Sequence, residues 1–438
     1  MGKSYRAYQP EQALLLPPDL RDWVPVEHLV WFVSDLVDAL DLTAIEAYYE
    51  AETRGQPPYH PRFMVKLLVY GYCQGVRASR KIAQRLDEDV AFRALAAGNR
   101  PDFRTISDFR KIHLGALEGL FEQVLRLALE SGALKLGRVA LDGTKMKANA
   151  SKHKAMSWKR MRETEKRLRR EAREILAAAE QADAEDDARW GDKRGDELPA
   201  ELARRESRLA RIREAKKALT QRARERASEA GEPEEEAQKA KPQDKDQYNF
   251  TDPESRIMKA GGGFEQAYNA QAAVEPVGQL IVGQMLTNEV NDKRQLQPVV
   301  EAIERQAGRR PTEVLADSGY CSEKNLEYLA SEAEPAKAVQ AWVAVEKTKR
   351  NAEPVAAPRG RPPAGLSLVE GMRRKLRTKA GKKVYARRKA IVEPVFGQIK
   401  QARGIRQFLM RGMEKARGEW GLICTTHNIL KLHRLVTA

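Results

Sequence analysis

Cysteine is scarce: Cys73, Cys321 and Cys424 are the only three, widely separated and without CxxC spacing. That excludes a disulfide framework and a zinc finger as organising principles. Long apolar runs are missing too. Mean hydropathy is −0.62, and no stretch is long and apolar enough to span a bilayer. The amino terminus, Met1-Gly2-Lys3-Ser4-Tyr5-Arg6, has no apolar leader core, and Arg6 breaks the myristoylation pattern. The histidines (His28, His60, His113, His153, His427, His433) show neither triad nor metal-box spacing. These absences predict a soluble, cytoplasmic chain with no membrane partner. What is present is 438 residues, 42% of them hydrophobic, enough for a sizeable core. Such a length suggests roughly two to three domains. With 78 Lys+Arg against 62 Asp+Glu the net charge is +16, which favours a polyanionic partner, nucleic acid by default.

The surplus is localised. From Glu346 to Arg417 there are 21 Lys/Arg and 5 Asp/Glu, a balance equal to that of the whole chain. Between Gly371 and Arg411 the 14 basic residues share the segment with one acid, Glu393. A basic run alone also suits a solvated tail or a non-specific phosphate binder. Here, however, Ile391, Val392, Val395, Phe396 and Ile399 flank Glu393, and that spacing predicts a packed helix. Residues 151–247 differ: 26 Lys/Arg and 23 Asp/Glu nearly cancel. Met161, Leu168 and Ile175 recur every seven residues, as do Leu202 and Leu209, and Ile212 and Leu219. Such thin seams predict two long helices in an antiparallel coiled-coil hairpin, joined over Asp183–Pro199 and followed by a linker, Ala230–Gln247. Disorder is the alternative for so charged a stretch.

Residues 1–135 read as helical. Leu29, Phe32, Val33, Leu36 and Leu40 keep helical spacing, Pro61 opens a second helix, Ser79 is placed to cap a third, and Thr105 with Asp108 forms a capping-box pattern. Arg77, Arg80, Lys81, Arg85, Arg104, Arg110 and Lys111 on such helices suit either a helix-turn-helix-like DNA module or a plain docking domain. Strands follow: Arg138–Leu141 ending at Asp142-Gly143-Thr144, Phe264–Val274 paired with Gln279–Leu286, Glu313–Ala316 ending at Asp317-Ser318-Gly319, and Val339–Val345. Helices are expected over 293–306 and 323–329. Strand, strand, strand, helix, strand, helix, strand and basic helix is the RNase H-like order, with a large insert after the first strand.

The two Asp-ended strands place Asp142 and Asp317 at the carboxyl edge of a parallel pair, where active sites of open α/β sheets gather. An Asp at a strand end also serves as an ordinary turn residue. Three converging carboxylates repel one another unless divalent cations sit among them, and Mg²⁺ prefers such oxygen ligands. Two such ions support in-line phosphoryl displacement without a protein base.

On these residues the chain resembles a bacterial insertion-sequence transposase of the DDE type, in the RNase H-like, retroviral-integrase superfamily. Asp142 in Val-Ala-Leu-Asp-Gly-Thr-Lys, Asp317 in Val-Leu-Ala-Asp-Ser-Gly-Tyr and Glu393 in Ile-Val-Glu-Pro-Val-Phe-Gly-Gln-Ile-Lys match the three acids. Leu15–Pro18, Pro58-Tyr59-His60-Pro61, Tyr70-Gly71-Tyr72 and Thr105–Arg110 resemble the amino-terminal domain of these transposases. The resemblance implies an α/β RNase H-like catalytic domain (136–150 and 248–438), a helical, DNA-binding N-terminal domain (1–135) and a charged helical insertion (151–247). It implies catalysis and metal binding by Asp142, Asp317 and Glu393, with two Mg²⁺ ions for which Mn²⁺ can substitute. The DNA contacts implied are Lys145, Lys382, Lys383, Arg387, Arg388, Lys389, Lys400, Arg403 and Arg406. Partners would be the element's terminal inverted repeats, target DNA and further copies of the chain in a synaptic complex on the nucleoid. A catalytically inactive or domesticated DNA-binding relative, or a nuclease without strand transfer, are the alternatives. In the family signature a Tyr stands seven residues before the glutamate, an Arg four before and a Lys seven after. Lys400 fits, Lys389 stands at the arginine position, and Ala386 stands at the tyrosine position with Tyr385 one residue early. Pro394 removes an amide donor, so the helix is expected to begin or kink there.

Overall fold

The computed structural model describes residues 19–50, 57–190, 200–261, 263–330, 338–346, 356–363 and 365–437, leaving aside the side chains of 178–202. The motif Leu15–Pro18 and residues 191–199 lie outside them. The chain opens with helices α1 (Leu29–Asp38), α2 (Thr43–Glu50), α3 (Pro61–Cys73), α4 (Ser79–Glu88), α5 (Val90–Leu95), α6 (Phe103–Ile112) and α7 (Leu114–Glu130). Two caps differ from expectation. Asp102, not Thr105, caps α6, because its carboxylate accepts from the amides of both Arg104 and Thr105. Ser79 is the first residue of α4 rather than its cap; its hydroxyl accepts instead from buried Arg110. Among the basic residues proposed for DNA contact here, Arg77 and Arg110 are buried and structural, whereas Arg80, Lys81, Arg85, Arg104 and Lys111 are exposed.

Next come β1 (Arg138–Lys147), β2 (Ala155–Ser157), α8 (Trp158–Trp190), α9 (Ala200–Glu229), α10 (Glu234–Lys239), β3 (Gln247–Asn249), β4 (Arg256–Ala260), β5 (Gly263–Val274) and β6 (Ile281–Thr287). The chain closes with α11 (Leu296–Ala307), β7 (Glu313–Ala316), α12 (Glu323–Ala330), β8 (Gln340–Val343), α13 (Leu368–Arg377), α14 (Lys379–Gly397) and α15 (Met413–Thr437). The main sheet runs β6-β5-β1-β7-β8, with β4 on the same edge of β5 as β6. β1, β7 and β8 are parallel; β5 is antiparallel to β1 and to β6. α14 lies on the face to which Asp142 points, while Ile303 of α11 packs under Gly283 on the other face. One hydrophobic core joins the N-terminal helices, the sheet and α15. Among the described residues, no helix is long and apolar enough to cross a membrane.

The insert leaves and returns through the small antiparallel ribbon β2–β3. Its helices pack through Met161, Leu168, Leu209, Ile212 and Leu219, a core separate from the main one. Glu165 pairs with Lys216 and Glu171 with Arg205, so the helices run antiparallel. The expected joint is helical as far as Trp190. The expected linker instead contains α10 and reaches β3 at its last residue, and Asp246 near its end pairs with Arg226 of α9.

Candidate active site

β1 and β7 pair in parallel only as far as Ala140 and Leu315. Two residues further, the same register brings Asp142 level with Asp317, at the point where the chain leaves β7. Asp142 is inside β1, not at its end: β5 is long enough to keep pairing as far as Lys147. One edge of β1 is therefore open beside Asp142 while the other stays laddered. Asp317 Oδ1 accepts from Gly319 N at 2.8 Å, so it does serve its turn as well as facing Asp142. Asp142 Oδ1 accepts from Gly143 N at 2.9 Å and Oδ2 from Arg388 Nη1 at 3.2 Å. Burial pushes the Asp142 carboxyl up to about 6; Arg388 pulls it down and the Asp317 charge pushes it further up.

The arginine beside the acids is Arg388, and the half-buried ring three residues earlier is Tyr385. Lys389 and Ala386, which strict family spacing selects, are both exposed. Five residues, rather than four, separate Arg388 from Glu393. On an α-helix that is about 140° of rotation, so with Arg388 turned to Asp142 the glutamate turns away. Glu393 is exposed and makes no hydrogen bond or ion pair among the described residues, with Lys389 or any other group. The structure thus brings Asp142 and Asp317 together and does not bring Glu393 to them. Pro394 lies within α14 rather than starting it, and the carbonyl its missing N–H would have met, Ala390 O, accepts from Gln279 Nε2 at 3.2 Å.

Two lysines complete the surroundings. Lys400 Nζ donates to Thr144 Oγ1 at 2.6 Å and to Lys145 O at 2.8 Å, and burial pushes it down to about 8. Lys145 Nζ is buried without a hydrogen bond, 3.7 Å from Asp292 Oδ1, too far for one. Asp292 is the acid that sequence reading missed. Its Oδ1 accepts from Asn269 Nδ2 and Gln271 Nε2, each at 2.7 Å, and it lies against Gly319. A side chain on Gly143 would run into Gln271 and Asp292 within 2.6 Å, so the glycine of Asp-Gly-Thr is required by this crowding. The one available signal was the polar run 288–294 after β6, a turn-like stretch that does not reveal its neighbours.

Among the described residues, no three His, Cys, Asp or Glu side chains lie close enough to hold a metal ion. Asp142 and Asp317 nevertheless supply hard oxygen donors, and a cation that keeps several waters needs only one or two carboxylates. Of the expected DNA contacts, Lys382, Lys383, Arg387, Lys389 and Arg406 are exposed. Arg388, Lys400 and Lys145 are engaged within the site. Arg403 is committed elsewhere: its guanidinium donates to Thr426 Oγ1 at 2.8 Å and to Ile423 O at 3.1 Å, fastening the loop after α14 onto α15.

Comparison with family models matches residues 18–112 to "Transposase domain (DUF772)" and residues 233–429 to "Transposase DDE domain". Asp317 and Glu393 fall within the second span, whereas Asp142 lies between the two, on the far side of the insert. Searches of curated proteins and of solved structures returned no match.

Proposed function

Since the chain belongs to the DDE transposases of insertion sequences, we propose that it binds the terminal inverted repeats of its element, cleaves phosphodiester bonds there and joins the 3′ ends to target DNA. The observation that carries this reading is the pair Asp142 and Asp317, level on neighbouring parallel strands and surrounded by Arg388, Lys145 and Lys400. An acid pair held among cations suits a phosphodiester together with divalent ions. The strand order β6-β5-β1-β7-β8, antiparallel then parallel, supports an RNase H-like catalytic domain. The hairpin of α8 and α9 supports a coiled-coil insertion after β1.

In this reading Asp142 and Asp317 would hold Mg²⁺, or Mn²⁺ in its place, and Glu393, which this structure leaves turned away from the pair, would join them as the third acid once α14 turns toward the bound ions. Bound divalent ions would neutralise phosphate charge and activate the attacking oxygen. The chain's own residues do the rest. Arg388 orients the Asp142 carboxylate. Lys400 holds the β1 backbone beside it through Thr144 and Lys145. Lys145, whose buried ammonium lies 3.7 Å from Asp292 Oδ1, adds positive charge beside the acid pair. Lys382, Lys383, Arg387, Lys389 and Arg406 contact the DNA backbone, and exposed cations of the N-terminal helices contribute to end recognition. Cutting two ends in concert needs two sites, hence an assembly of several copies in the cytoplasm.

Cleavage of end-containing DNA with Mg²⁺ tests the assignment. Glu393→Gln and Asp142→Asn should bind DNA like the unmodified chain yet cut about a thousandfold more slowly, a loss of about 4 kcal/mol in transition-state stabilisation. Activity of Glu393→Gln within a few-fold of the unmodified chain removes the third acid. An unmodified chain that binds ends but never cuts them points to an inactive DNA-binding relative.

A further inference from the structure

Two clefts meet where the insert leaves the sheet. The first, about 490 Å³, takes its cations from Lys147, Lys152, Lys154 and Arg411, and its one acid is Glu265. The second, about 710 Å³, lies between the β2 end of the insert and α9, with Arg160, Arg204, Arg208 and Arg211 on its walls and no acid among its lining residues. His153 and Lys154 line both, so they form one continuous groove.

The near-neutral composition of the insert hides this segregation. On another face of the hairpin the cations are paired: Arg169 and Lys216 with Glu165, Arg205 with Glu171. Among the described residues, Arg160, Arg204, Arg208 and Arg211 have no acidic partner, and all four are exposed. Arg204, Arg208 and Arg211, spaced by four and three residues, form a stripe along one face of α9. The stripe spans about 10 Å, the axial length of roughly three phosphates of one DNA strand. Met156, Ile212 and half-buried Phe250 give the groove an apolar floor between these cations. The groove also shares a strand with the candidate active site: β1 runs from Asp142 to Lys147 at the groove's mouth, roughly 17 Å of extended chain.

We infer that this groove is a second DNA-binding site, in which the insert holds the phosphate backbone of the duplex engaged at Asp142 and Asp317. Charge complementarity and the shared strand β1 select that occupant, and the ligand's identity as DNA rests on the transposase reading. Guanidinium forks suit phosphate oxygens, and contacts of this kind carry no sequence information.

The test uses the full chain and two duplexes, one end-containing and one random, over a range of salt concentrations. Replacing Arg160, Arg204, Arg208 and Arg211 by Ala should lower the slope of log K against log salt by roughly 2 to 4 on both duplexes, at about 0.9 per lost phosphate contact. The same four changed to Lys should restore most of the slope, which separates lost contacts from a misfolded hairpin. Equal charge removal outside the groove, at Arg167, Arg170, Arg173 and Arg224, should leave the slope within about 1 unit. A slope unchanged by the groove variant, in a chain whose unmodified form binds and cuts DNA, overturns the groove alone. An unmodified chain with no salt-dependent DNA affinity overturns the transposase reading with it.

Discussion

Arg388 and Lys389 are adjacent in sequence and opposite in environment: one is buried with Nη1 3.2 Å from Asp142 Oδ2, the other is exposed. Removing a partner from a buried pair leaves a charge without compensation. Asp142 keeps 21% of its side-chain surface in contact with solvent, so the full penalty is screened. Arg388→Ala should therefore cost about 1–3 kcal/mol, and Lys389→Ala no more than about 0.5 kcal/mol. Urea unfolding midpoints of the two variants decide it; equal midpoints would show that Asp142 does not depend on Arg388. The same pair shows a limit of motif matching. Counting back from Glu393 selects Lys389, but burial follows the angle round the helix, and an extra residue shifts that angle by about 100°. Asp292 shows another limit. Its partners Asn269, Gln271 and Lys145 come from two other strands, and no spacing within its own segment reveals them.

Elements with a clear period of their own were readable from sequence. α1, α7 and α11 fall where apolar spacing puts them, because each buries one face and solvates another, and β5 with β6, β7 and β8 stand out as short runs of small and apolar residues, most of them buried on both faces. The short β2, β3 and β4 were not. Each has only three to five residues, too few to show an alternation of its own, and each is defined by pairing with a neighbouring strand. α15 was missed for the opposite reason. It is buried on nearly every side from Ala416 to Ile429, so no amphipathic stripe marks it. That burial carries a pH-dependent consequence at His427, whose Nε2 lies 3.0 Å from Gln279 O. Burial pushes His427 down to about 3, and nearby Arg403 adds to the shift. The unfolded imidazole titrates near 6.5. Between those values the unfolded chain takes up a proton that the folded chain refuses, so stability falls as pH drops through this window. His427→Gln keeps a donor for Gln279 O and removes the titration. Between pH 6 and pH 5 the unmodified chain should lose about 1 kcal/mol more than this variant in urea unfolding. Parallel losses would show that His427 is free to protonate.

At the scale of the molecule, one buried carboxylate on α15 ties the helical N-terminal region to the C-terminal part of the fold. Glu419 Oε1 accepts from Arg77 Nη1 at 2.8 Å, and the Tyr72 hydroxyl lies 3.4 Å away. Its Oε2 accepts from the amides of Leu409 and Met410 at 2.8 and 3.2 Å. The Glu419 side chain is fully buried and Arg77 is 10% exposed. One acid thus joins α3, the chain entering α4, the loop after α14 and α15, on top of an apolar core shared by the same elements. The two matched transposase regions should therefore unfold together, in one transition rather than two. Glu419→Gln tests this, because an amide has only one acceptor oxygen. Whichever way it turns, its NH₂ group faces either the Arg77 guanidinium or the two backbone donors, and Arg77 stays charged in the interior. The expected loss is about 3–5 kcal/mol. The variant should also show earlier exposure of the N-terminal helices in hydrogen exchange, while amides of β1 and β5 stay protected. A loss below about 1 kcal/mol with unchanged exchange would mean that apolar packing alone holds the two regions together.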